Sequence, residues 1–242
     1  IIAGQAGKNL VKSTMELGGS DVFVILDDAD LELAINDAVG ARLRNAGQVC
    51  TSAKRYVVEE SVAEEFISGI EKKFKNIKLG DPLDEETELT PLSSKNAVEG
   101  LQKQVEEAVA NGAKVLVAGG PVQGDGYFFK PVVLANIKPD NPAYYQEFFG
   151  PVAQVHVVPN DDAVVELAND SFFGLAGAVY SQNIERAHAI ASAIETGQVF
   201  INRPSGAHPE LPFGGIKHSG YGREMSDLGL YEFANEKIIV FN

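Results

Sequence analysis

The stretch that decides the fold reads VAQVHVVPNDDAVVELANDSFFGLAGAVYSQNIERAHAIASAIETGQVFI over residues 152–201. Short apolar runs in it alternate with segments whose apolar residues recur at helical spacing. The predicted order is strand, helix, strand, helix, strand, over 153–158, 161–168, 176–180, 184–194 and 198–201. This alternation indicates right-handed βαβ crossovers. The sequence therefore predicts an α/β fold with a largely parallel twisted sheet flanked by helices.

Patterns upstream and downstream of this stretch predict further elements. Apolar residues at steps of three or four predict a helix from Ala29 to Leu43, with Asp27 and Asp28 at its positive end. The remaining predictions are helices near 62–74 and 98–109, a strand at 56–58, a buried strand at 114–118, an extended segment at 128–137 in which Pro131 marks an edge or a bulge, and a terminal strand at 237–241.

Composition and charge exclude several classes of protein. The chain has 242 residues, of which 45% are hydrophobic and 22% charged, as in ordinary globular domains. Its 34 acidic against 20 basic residues give a formal net charge of -14, which repels nucleic acid and anionic lipid. No apolar run approaches the roughly 20 residues that span a bilayer, and no basic-then-apolar leader opens the chain. We therefore expect a cytoplasmic protein with no nucleic-acid or membrane partner.

Cys50 is the only cysteine, so the chain can form neither an internal disulfide nor a thiolate metal cluster. It lies between Asn45-Ala46-Gly47-Gln48 and Thr51-Ser52, a polar segment in which glycine lets the backbone approach a ligand closely. A lone cysteine is more often an inert buried residue than a nucleophile. The polar surroundings favour the nucleophile, and both interpretations stay open at this point.

Two carboxylates also stand out. Glu16 precedes Gly18 and Gly19, and is either a surface acid at a strand end or a general base beside a close-approach turn. Glu147 lies among aromatic residues and is either a satisfied structural acid or an acceptor for a polar ligand. The 4 histidines lack ligand spacing and no phosphate-binding glycine loop occurs, so no metal site is predicted.

Four segments carry the most specific motifs: Glu16-Leu17-Gly18-Gly19, Asn45-Ala46-Gly47-Gln48-Val49-Cys50, Glu147-Phe148-Phe149-Gly150-Pro151 and Pro212-Phe213-Gly214-Gly215. Together they resemble one family, the aldehyde dehydrogenase superfamily. The motifs occur in that family's order, and the match covers essentially the whole chain and corresponds to the C-terminal half of a usual member. The surroundings of Arg44 and the segment 203–224 look most like the succinate-semialdehyde dehydrogenase branch.

The resemblance implies a mechanism that depends on cysteine and on NAD or NADP. Cys50 would add to the aldehyde, and its own backbone N–H would donate to the resulting oxyanion. After hydride transfer to the coenzyme, Glu16 would activate the water that hydrolyses the thioester. Contacts with the coenzyme are implied for Leu17, Glu147 and Phe149.

The resemblance also implies a substrate site. Arg44 would bind the remote carboxylate of succinate semialdehyde through charge-assisted hydrogen bonds. His208 falls where the branch has a carboxylate-binding serine, Ser205 lies nearby, and Phe213 is expected at the same site. Ser52 stands where some members of the branch have a second cysteine, so no redox-switch disulfide is expected.

The resemblance leaves the family's upstream half, with its coenzyme-binding domain and oxyanion-hole asparagine, outside this chain. The expected organisation is a catalytic domain over 1–222, followed over 223–242 by a helix and a tail strand that are candidates for an oligomer contact. We expect the isolated chain to bind coenzyme poorly and to oxidise no aldehyde. The full-length enzyme is expected to be a homo-oligomer that acts on a small-molecule aldehyde.

Two rival functions use the same residues differently. A coenzyme-independent acyl-transfer enzyme or hydrolase needs only Cys50 and Glu16, since thioester chemistry requires a nucleophile and a base. A binding or assembly module needs neither, and its Cys50 would be inert. A thiol reagent at neutral pH separates the last of these from the others, because an inert buried thiol stays unlabelled.

Overall fold

A seven-stranded sheet forms the centre of the computed structural model, which describes residues 1–242. Every neighbouring pair of strands is parallel except the last, β7 with β4. The predicted largely parallel sheet is therefore confirmed. Across the sheet the strands are β11 (Gln198–Ile201), β10 (Ala176–Tyr180), β2 (Val22–Ile25), β3 (Arg55–Glu59), β8 (Val152–Val158), β7 (Val132–Ala135) and β4 (Lys114–Val117).

Helices connect these strands and cover both faces of the sheet. Four of them begin at a side chain that accepts a hydrogen bond from the N–H three residues later, namely Asp30, Ser94, Asn160 and Asn183. None of the helices combines the length and apolar character needed to cross a membrane. The helices are α1 (Ile2–Lys8), α2 (Leu31–Leu43), α3 (Glu60–Lys75), α4 (Lys95–Ala110), α5 (Asp161–Asn169), α6 (Ile184–Ala193) and α7 (Ser226–Glu232), with short 3-10 turns at Arg44–Gly47 and Pro142–Tyr145.

Three two-stranded antiparallel ribbons lie outside the main sheet. The ribbon nearest the chemistry described below pairs Glu16 with Gly220. It ties the segment before β2 to a segment late in the chain, so residues far apart in sequence share one wall. The ribbons are β1 (Met15–Glu16) with β13 (Gly220–Tyr221), β9 (Phe173–Gly174) with β12 (Ile216–Lys217), and β5 (Gly120–Pro121) with β6 (Phe129–Lys130).

Side chains of the central strands alternate between two cores. In β2, Phe23 and Ile25 join a cluster of 33 buried residues packed with α2, α3 and α4, whereas Val22 and Val24 join 11 buried residues packed with α5 and α6. Because both faces are covered, these strands are apolar throughout instead of alternating with polar residues. The larger cluster lies on the α2 face, so that face contributes most of the hydrophobic stabilisation.

Two strand predictions need correction. The strand β4 is an edge strand and not a buried one, and its Val115 is 44% exposed. Residues 132–135 form an interior strand between β8 and β4, so of the two alternatives predicted from Pro131 the edge is wrong. The pairing of this strand with β4 has a register shift, which lies between Val115 and Val117 of β4. Pro131 lies in the break between β6 and β7, where its missing N–H ends one pairing before the next begins.

The predicted terminal strand does not form. Residues 237–241 have no regular structure, and Ile238, Ile239, Val240 and Phe241 are 73–88% exposed. A strand needs hydrogen bonds from a neighbour, and no segment of this chain supplies them. The apolar character of this segment is therefore not enough to predict its state in the single chain.

The two aspartates predicted to favour the positive end of α2 bind a different helix through their side chains. Asp30 caps the helix through Leu33, and Asp27 and Asp28 reach instead to Arg186 of α6. The reason is topological, because the end of β2 lies beside the start of α6, which follows the adjacent strand β10.

Arg186 is the centre of a group of acids that we call the carboxyl-edge network, formed with Asp27, Asp28, Glu59 and Asp161. Its guanidinium lies 2.5 Å from Asp27 Oδ1, 3.0 Å from Glu59 Oε1 and 2.5 Å from Asp161 Oδ1. Hydrogen bonds from Arg186 lower the pKa of Asp27 and of Asp161. The network therefore joins the carboxyl ends of β2 and β3 to the starts of α5 and α6.

We expect Arg186→Met to lower the free energy of unfolding by about 1–3 kcal/mol, because it leaves partly buried carboxylates unpaired while solvent still screens the exposed ones. The loss should be complete above the unfolded carboxyl pKa of about 4 and should shrink as pH falls through the lower folded values. Urea unfolding of both proteins between neutral and acid pH measures it. Lys78→Met, which breaks the exposed pair with Glu86, is the control and should cost less than about 0.5 kcal/mol. Equal losses in the two variants would contradict a special role for Arg186.

Candidate active site at the amino edge of the sheet

Three segments singled out in the sequence come together because each immediately precedes one of three adjacent strands. Residues 16–21 lead into β2, residues 50–54 into β3 and residues 147–151 into β8. These strands are neighbours and run in parallel. Segments that precede parallel strands lie on the same side of the sheet, which we call the amino edge. Chain topology therefore explains why distant motifs converge.

The loop that carries Cys50 begins with an unusual backbone. After α2 ends at Leu43, Asn45, Ala46 and Gly47 have φ values of 50°, 54° and 76°. Left-handed geometry at Asn45 and Ala46 costs free energy, and such strain is commonly found at functional sites. A side chain at position 47 would overlap the carbonyl of Gly150, so only glycine fits there. The loop thus packs directly on the segment that leads into β8.

The glycines after Glu16 permit an equally close approach. A Cβ atom at Gly19 would lie 2.8 Å from the carbonyl oxygen of Cys50, and one at Gly18 would overlap the carboxylate of Glu147. The Gly19 N–H donates to Glu147 Oε1 at 3.1 Å. At the predicted close-approach turn, the backbone of Gly19 therefore packs on the backbone of Cys50, and Glu147 accepts its N–H.

Arg42 joins the Cys50 loop to the Glu147 segment from inside the protein. Its fully buried guanidinium donates to the carbonyl oxygens of Gly47 at 2.8 Å and Phe148 at 3.1 Å, and also to that of Gly150. Burial lowers the pKa of Arg42 to about 10, so the group stays charged at neutral pH. Several carbonyls of two loops thus depend on one cation.

Lys54 forms a second buried connection. Its Nζ donates to the carbonyl oxygens of Val49 at 3.0 Å and Cys50 at 2.6 Å, and pairs with Glu147 Oε1 at 3.2 Å. The Lys54 side chain has no solvent exposure. Burial lowers its pKa, and the nearby charges of Asp21 and Glu147 oppose that change. One ammonium group therefore binds the carbonyls on both sides of the Cys50 Cα, and the Ser52 N–H also donates to the carbonyl of Val49 at 3.1 Å.

The thiol of Cys50 is half-buried. Burial raises its pKa above the ordinary value, the positive charge of Lys54 opposes this, and Asp21 and Glu16 add to it. Most of the thiol is therefore protonated at neutral pH, and reaction as a thiolate needs a proton acceptor. The backbone N–H of Cys50 makes no hydrogen bond within the chain.

Glu16 is the weakest of the charges that raise the pKa of the Cys50 thiol. Burial and the charge of Glu224 raise the pKa of Glu16, while a backbone hydrogen bond at Gly215 and the charge of Arg223 lower it. One carboxylate oxygen, Oε1, is buried without a hydrogen-bond partner in the chain. A carboxylate with a raised pKa and a free oxygen can accept a proton.

A cavity of about 180 Å³ lies beside the Cys50 loop. It brings together Arg44, the neighbours Val49 and Thr51 of the cysteine, and Ser205. Ser205 is held there by a hydrogen bond from its Oγ to the carbonyl of Thr51 at 3.0 Å. Two of the residues predicted at the substrate site, Arg44 and Ser205, therefore line the same cavity.

His208 and Phe213 lie elsewhere. The Nε2 atom of His208 is 3.0 Å from a guanidinium nitrogen of Arg203. Phe213 is buried, and its backbone pairs with Glu224. Neither lines the cavity that contains Arg44 and Ser205.

The residues expected to contact the coenzyme lie near one another. Leu17 and Phe149 are exposed, and the segments that carry them are joined by the Gly19–Glu147 hydrogen bond. Only Oε1 of Glu147 is hydrogen-bonded within the chain, so Oε2 is free to accept a bond from a hydroxyl group. This free carboxylate oxygen fits a ribose hydroxyl group. No group of three or more His, Cys, Asp or Glu side chains is arranged to hold a metal ion.

Sequence reasoning missed the buried cations. Arg42 continues the buried face of α2 through Ala34 and Ala38 at steps of four, Lys54 directly precedes the buried strand β3, and Arg55 is its first residue. A cation that continues an apolar stripe or opens a buried strand is a usable signal, because burial of such a group requires several hydrogen-bond acceptors. The pattern does not reveal which carbonyls supply them.

An α/β sheet that holds a thiol beside a carboxylate is typical of enzymes that react through a cysteine nucleophile. The chain belongs to the aldehyde dehydrogenase family, since the model of that family matches residues 1–239.

Relatives and solved structures agree with this family. The chain is 44% identical over 238 residues to a protein of Deinococcus radiodurans named succinate-semialdehyde dehydrogenase (NADP+), covering 98% of this chain and 50% of that protein. It is 43% identical over 234 residues to the Escherichia coli K12 protein named succinate semialdehyde dehydrogenase (NAD(P)+), covering 97% and 51%. A crystal structure of succinic semialdehyde dehydrogenase from Streptococcus pyogenes with NADP+ superposes with a TM-score of 0.96 at 48% identity, covering 100% of this chain and 53% of that one. The chain thus spans about half the length of the curated relatives it matches.

We expect Arg42→Lys to lower the free energy of unfolding by about 3 kcal/mol, because an ammonium cannot reach the carbonyls that the planar guanidinium binds. Denaturant unfolding followed by circular dichroism measures the loss. Arg203→Lys, at an exposed arginine, is the matched control and should change stability by less than about 0.5 kcal/mol. An Arg42 variant as stable as the control would contradict the role given to Arg42.

Proposed function

We propose that this chain carries the catalytic machinery of an NAD(P)-dependent aldehyde dehydrogenase that oxidises succinate semialdehyde to succinate. The observation that carries the proposal is the arrangement at the amino edge. Cys50 has an unbonded backbone N–H, Glu16 has a buried carboxylate oxygen without a hydrogen-bond partner, and Arg44 and Ser205 line the adjoining cavity. The family and the names of the relatives support it.

The first step is loss of the Cys50 thiol proton to solvent and addition of the thiolate to the aldehyde carbon. The carbonyl oxygen becomes an oxyanion as the carbon–sulfur bond forms. The Cys50 N–H donates to that oxyanion, since it has no other acceptor in the chain. Covalent attachment then holds the reacting carbon in place for the later steps.

NAD or NADP, when bound, supplies the hydride acceptor. Glu147 would hold it by accepting a ribose hydroxyl on Oε2, and Leu17 and Phe149 offer exposed apolar surface beside that carboxylate. The product of this oxidation on the protein is a thioester at Cys50.

Glu16 completes the reaction as general base. It takes a proton from water, which attacks the thioester carbon, and the Cys50 thiolate leaves as the acid is released. The raised pKa of Glu16 makes it a stronger base than an ordinary carboxylate.

Arg44 and Ser205 give the substrate class. A cation and a hydroxyl in one small cavity beside the nucleophile suit an aldehyde with a remote carboxylate. This local charge explains how a protein of net charge -14 could bind an anion. For His208 and Phe213 the substrate role stays a prediction, because neither lines that cavity.

We further assign residues 1–222 to the catalytic domain and residues 223–242 to an oligomer contact. The exposed apolar run Ile238–Phe241 supports the second assignment, since such a run is stabilised by pairing with another chain.

The test of the reaction joins this chain to the upstream half of the Deinococcus radiodurans relative. We expect the joined protein to reduce NADP+ or NAD+ with succinate semialdehyde, Cys50→Ser to abolish this, and the 242 residues alone to give none. Absorbance of the reduced coenzyme measures it. A joined protein that folds but does not reduce the coenzyme would contradict the proposal.

Arg44→Met in the joined protein tests the substrate. We expect KM for succinate semialdehyde to rise about tenfold or more, from loss of a charged hydrogen bond of roughly 1.5–3 kcal/mol. KM for butanal, which has the same chain length and no carboxylate, should not change. Equal changes for both aldehydes would contradict a carboxylate-binding role.

Glu16→Gln should separate acylation from hydrolysis. With p-nitrophenyl acetate, Cys50 should still be acetylated, whereas loss of the acetyl group should slow by about 100-fold or more. In the wild type that step should accelerate as pH rises through the pKa of Glu16, which burial sets above the ordinary carboxyl value. Intact mass spectrometry of the acetylated chain follows both steps. The control is Glu32→Gln, an exposed acid on α2, and deacylation at the control's rate in Glu16→Gln would exclude Glu16 as the base.

A further inference from the structure

We propose that Lys54 is the positioning residue of the Cys50 site: its buried ammonium directs the Cys50 backbone N–H and places a positive charge behind the Cys50 thiol. This inference rests on the proposed function, in which that N–H and that thiol do the chemistry. It adds a residue that touches neither the substrate nor the coenzyme.

The first argument is the geometry of one peptide group. The carbonyl of Val49 and the N–H of Cys50 belong to the same planar trans peptide, so they point in opposite directions. Lys54 Nζ donates to the Val49 oxygen at 3.0 Å from the protein interior, beside the Ser52 N–H at 3.1 Å. The Cys50 N–H must therefore point away from Lys54, and it has no acceptor within the chain. Hydrogen bonds to the Val49 carbonyl therefore also set the direction of the Cys50 N–H.

The second argument is that Lys54 holds the next peptide as well. Its Nζ lies 2.6 Å from the Cys50 oxygen, so the planes on both sides of the Cys50 Cα are constrained. A Cβ atom at Gly19 would lie 2.8 Å from the same oxygen, which leaves no room for a side chain there. An ammonium is suited to this task because it can donate three hydrogen bonds in different directions.

The third argument is the cost of burial. A fully buried lysine is rare unless it is paired. Lys54 uses all of its donors at this site, on two carbonyls and on Glu147 Oε1 at 3.2 Å. The same carboxylate accepts the Gly19 N–H. A purely structural lysine could bind any carbonyls, but this one binds the two that flank the nucleophile.

Several charges face the thiol and the ammonium. Asp21, from the segment before β2, and Glu16 act on Cys50 against Lys54. Arg42 lowers the pKa of Lys54, and Asp21 and Glu147 raise it. Asp21 is fully buried, and its Oδ2 has no hydrogen-bond partner in the chain. Removal of Lys54 or of Asp21 should thus move the thiol pKa in opposite directions.

The charge is tested by alkylating Cys50 with iodoacetamide over a range of pH. Because the chain has only 1 cysteine, intact mass reports this thiol alone. Lys54→Met should raise the pH midpoint of alkylation, and Asp21→Asn should lower it. A shift of about one pH unit changes the thiolate fraction tenfold and the rate at lower pH about threefold, since nucleophilicity falls with pKa. Lys75→Met, at an exposed lysine of α3, is the matched control and should keep the wild-type midpoint.

The positioning is tested by acylation with p-nitrophenyl acetate, in which the thiolate adds to the carbonyl, an oxyanion forms and nitrophenolate leaves. Alkylation forms no oxyanion, so only acylation depends on the direction of the Cys50 N–H. Compared at equal thiolate fraction, Lys54→Met should acylate at least about tenfold more slowly, given that loss of one oxyanion donor costs 100-fold to 1,000-fold. A burst of nitrophenolate measures the rate.

Unshifted midpoints in both variants overturn the charge role, and wild-type acylation by Lys54→Met at equal thiolate fraction overturns the positioning role. Circular dichroism checks folding, and if Lys54→Met does not fold, Lys54→Gln, which keeps a hydrogen-bond donor and removes the charge, replaces it in the alkylation measurement and should also raise the midpoint. Neither measurement uses coenzyme or semialdehyde. A wild-type Cys50 that never alkylates would instead contradict the proposed function, so the two failures are distinguishable.

Discussion

Parallel pairing of β2, β3 and β8 is the constraint on which the candidate site depends. Each strand is preceded by one of the segments that carry Glu16, Cys50 and Glu147, and parallel neighbours place those segments on the same side of the sheet. A one-residue slip in either pairing would turn every side chain of a strand to the opposite core. Because the two cores differ in size, the hydrophobic effect itself keeps the three segments in register.

Convergence alone would leave many backbone carbonyls buried without donors, and three cations meet this need. Arg42 binds the carbonyls of the Cys50 loop and of the segment before β8, Lys54 binds those of Val49 and Cys50, and Arg55 binds Ser20, Leu167 and Ala168. Desolvating a cation is unfavourable by several kcal/mol, so each is retained only with several acceptors. The same buried cations thus contribute to the stability of the fold and to the electrostatics of the candidate site.

The sequence predicted what depends on local pattern and missed what depends on tertiary partners. The alternation of strands and helices over 153–201 predicted the α/β fold with its largely parallel sheet. The motifs around Glu16, Cys50 and Glu147 predicted one shared site. Periodicity reports that a position is buried but not what it touches, so Lys54 was overlooked. For the same reason the hydrophobic pattern does not show that residues 132–135 pair on both sides. It also does not show that residues 237–241 have no partner strand.

The two edges of the sheet differ in a way that suits the proposed chemistry. Ligands of open α/β sheets usually bind at the carboxyl ends of the strands, but here that edge is occupied by Arg186 and its four acids. At the amino edge the carbonyls are bound from inside by cations, which leaves an N–H such as that of Cys50 directed outward. An outward N–H stabilises negative charge on a substrate oxygen. The amino edge therefore suits the proposed reaction, which passes through an oxyanion.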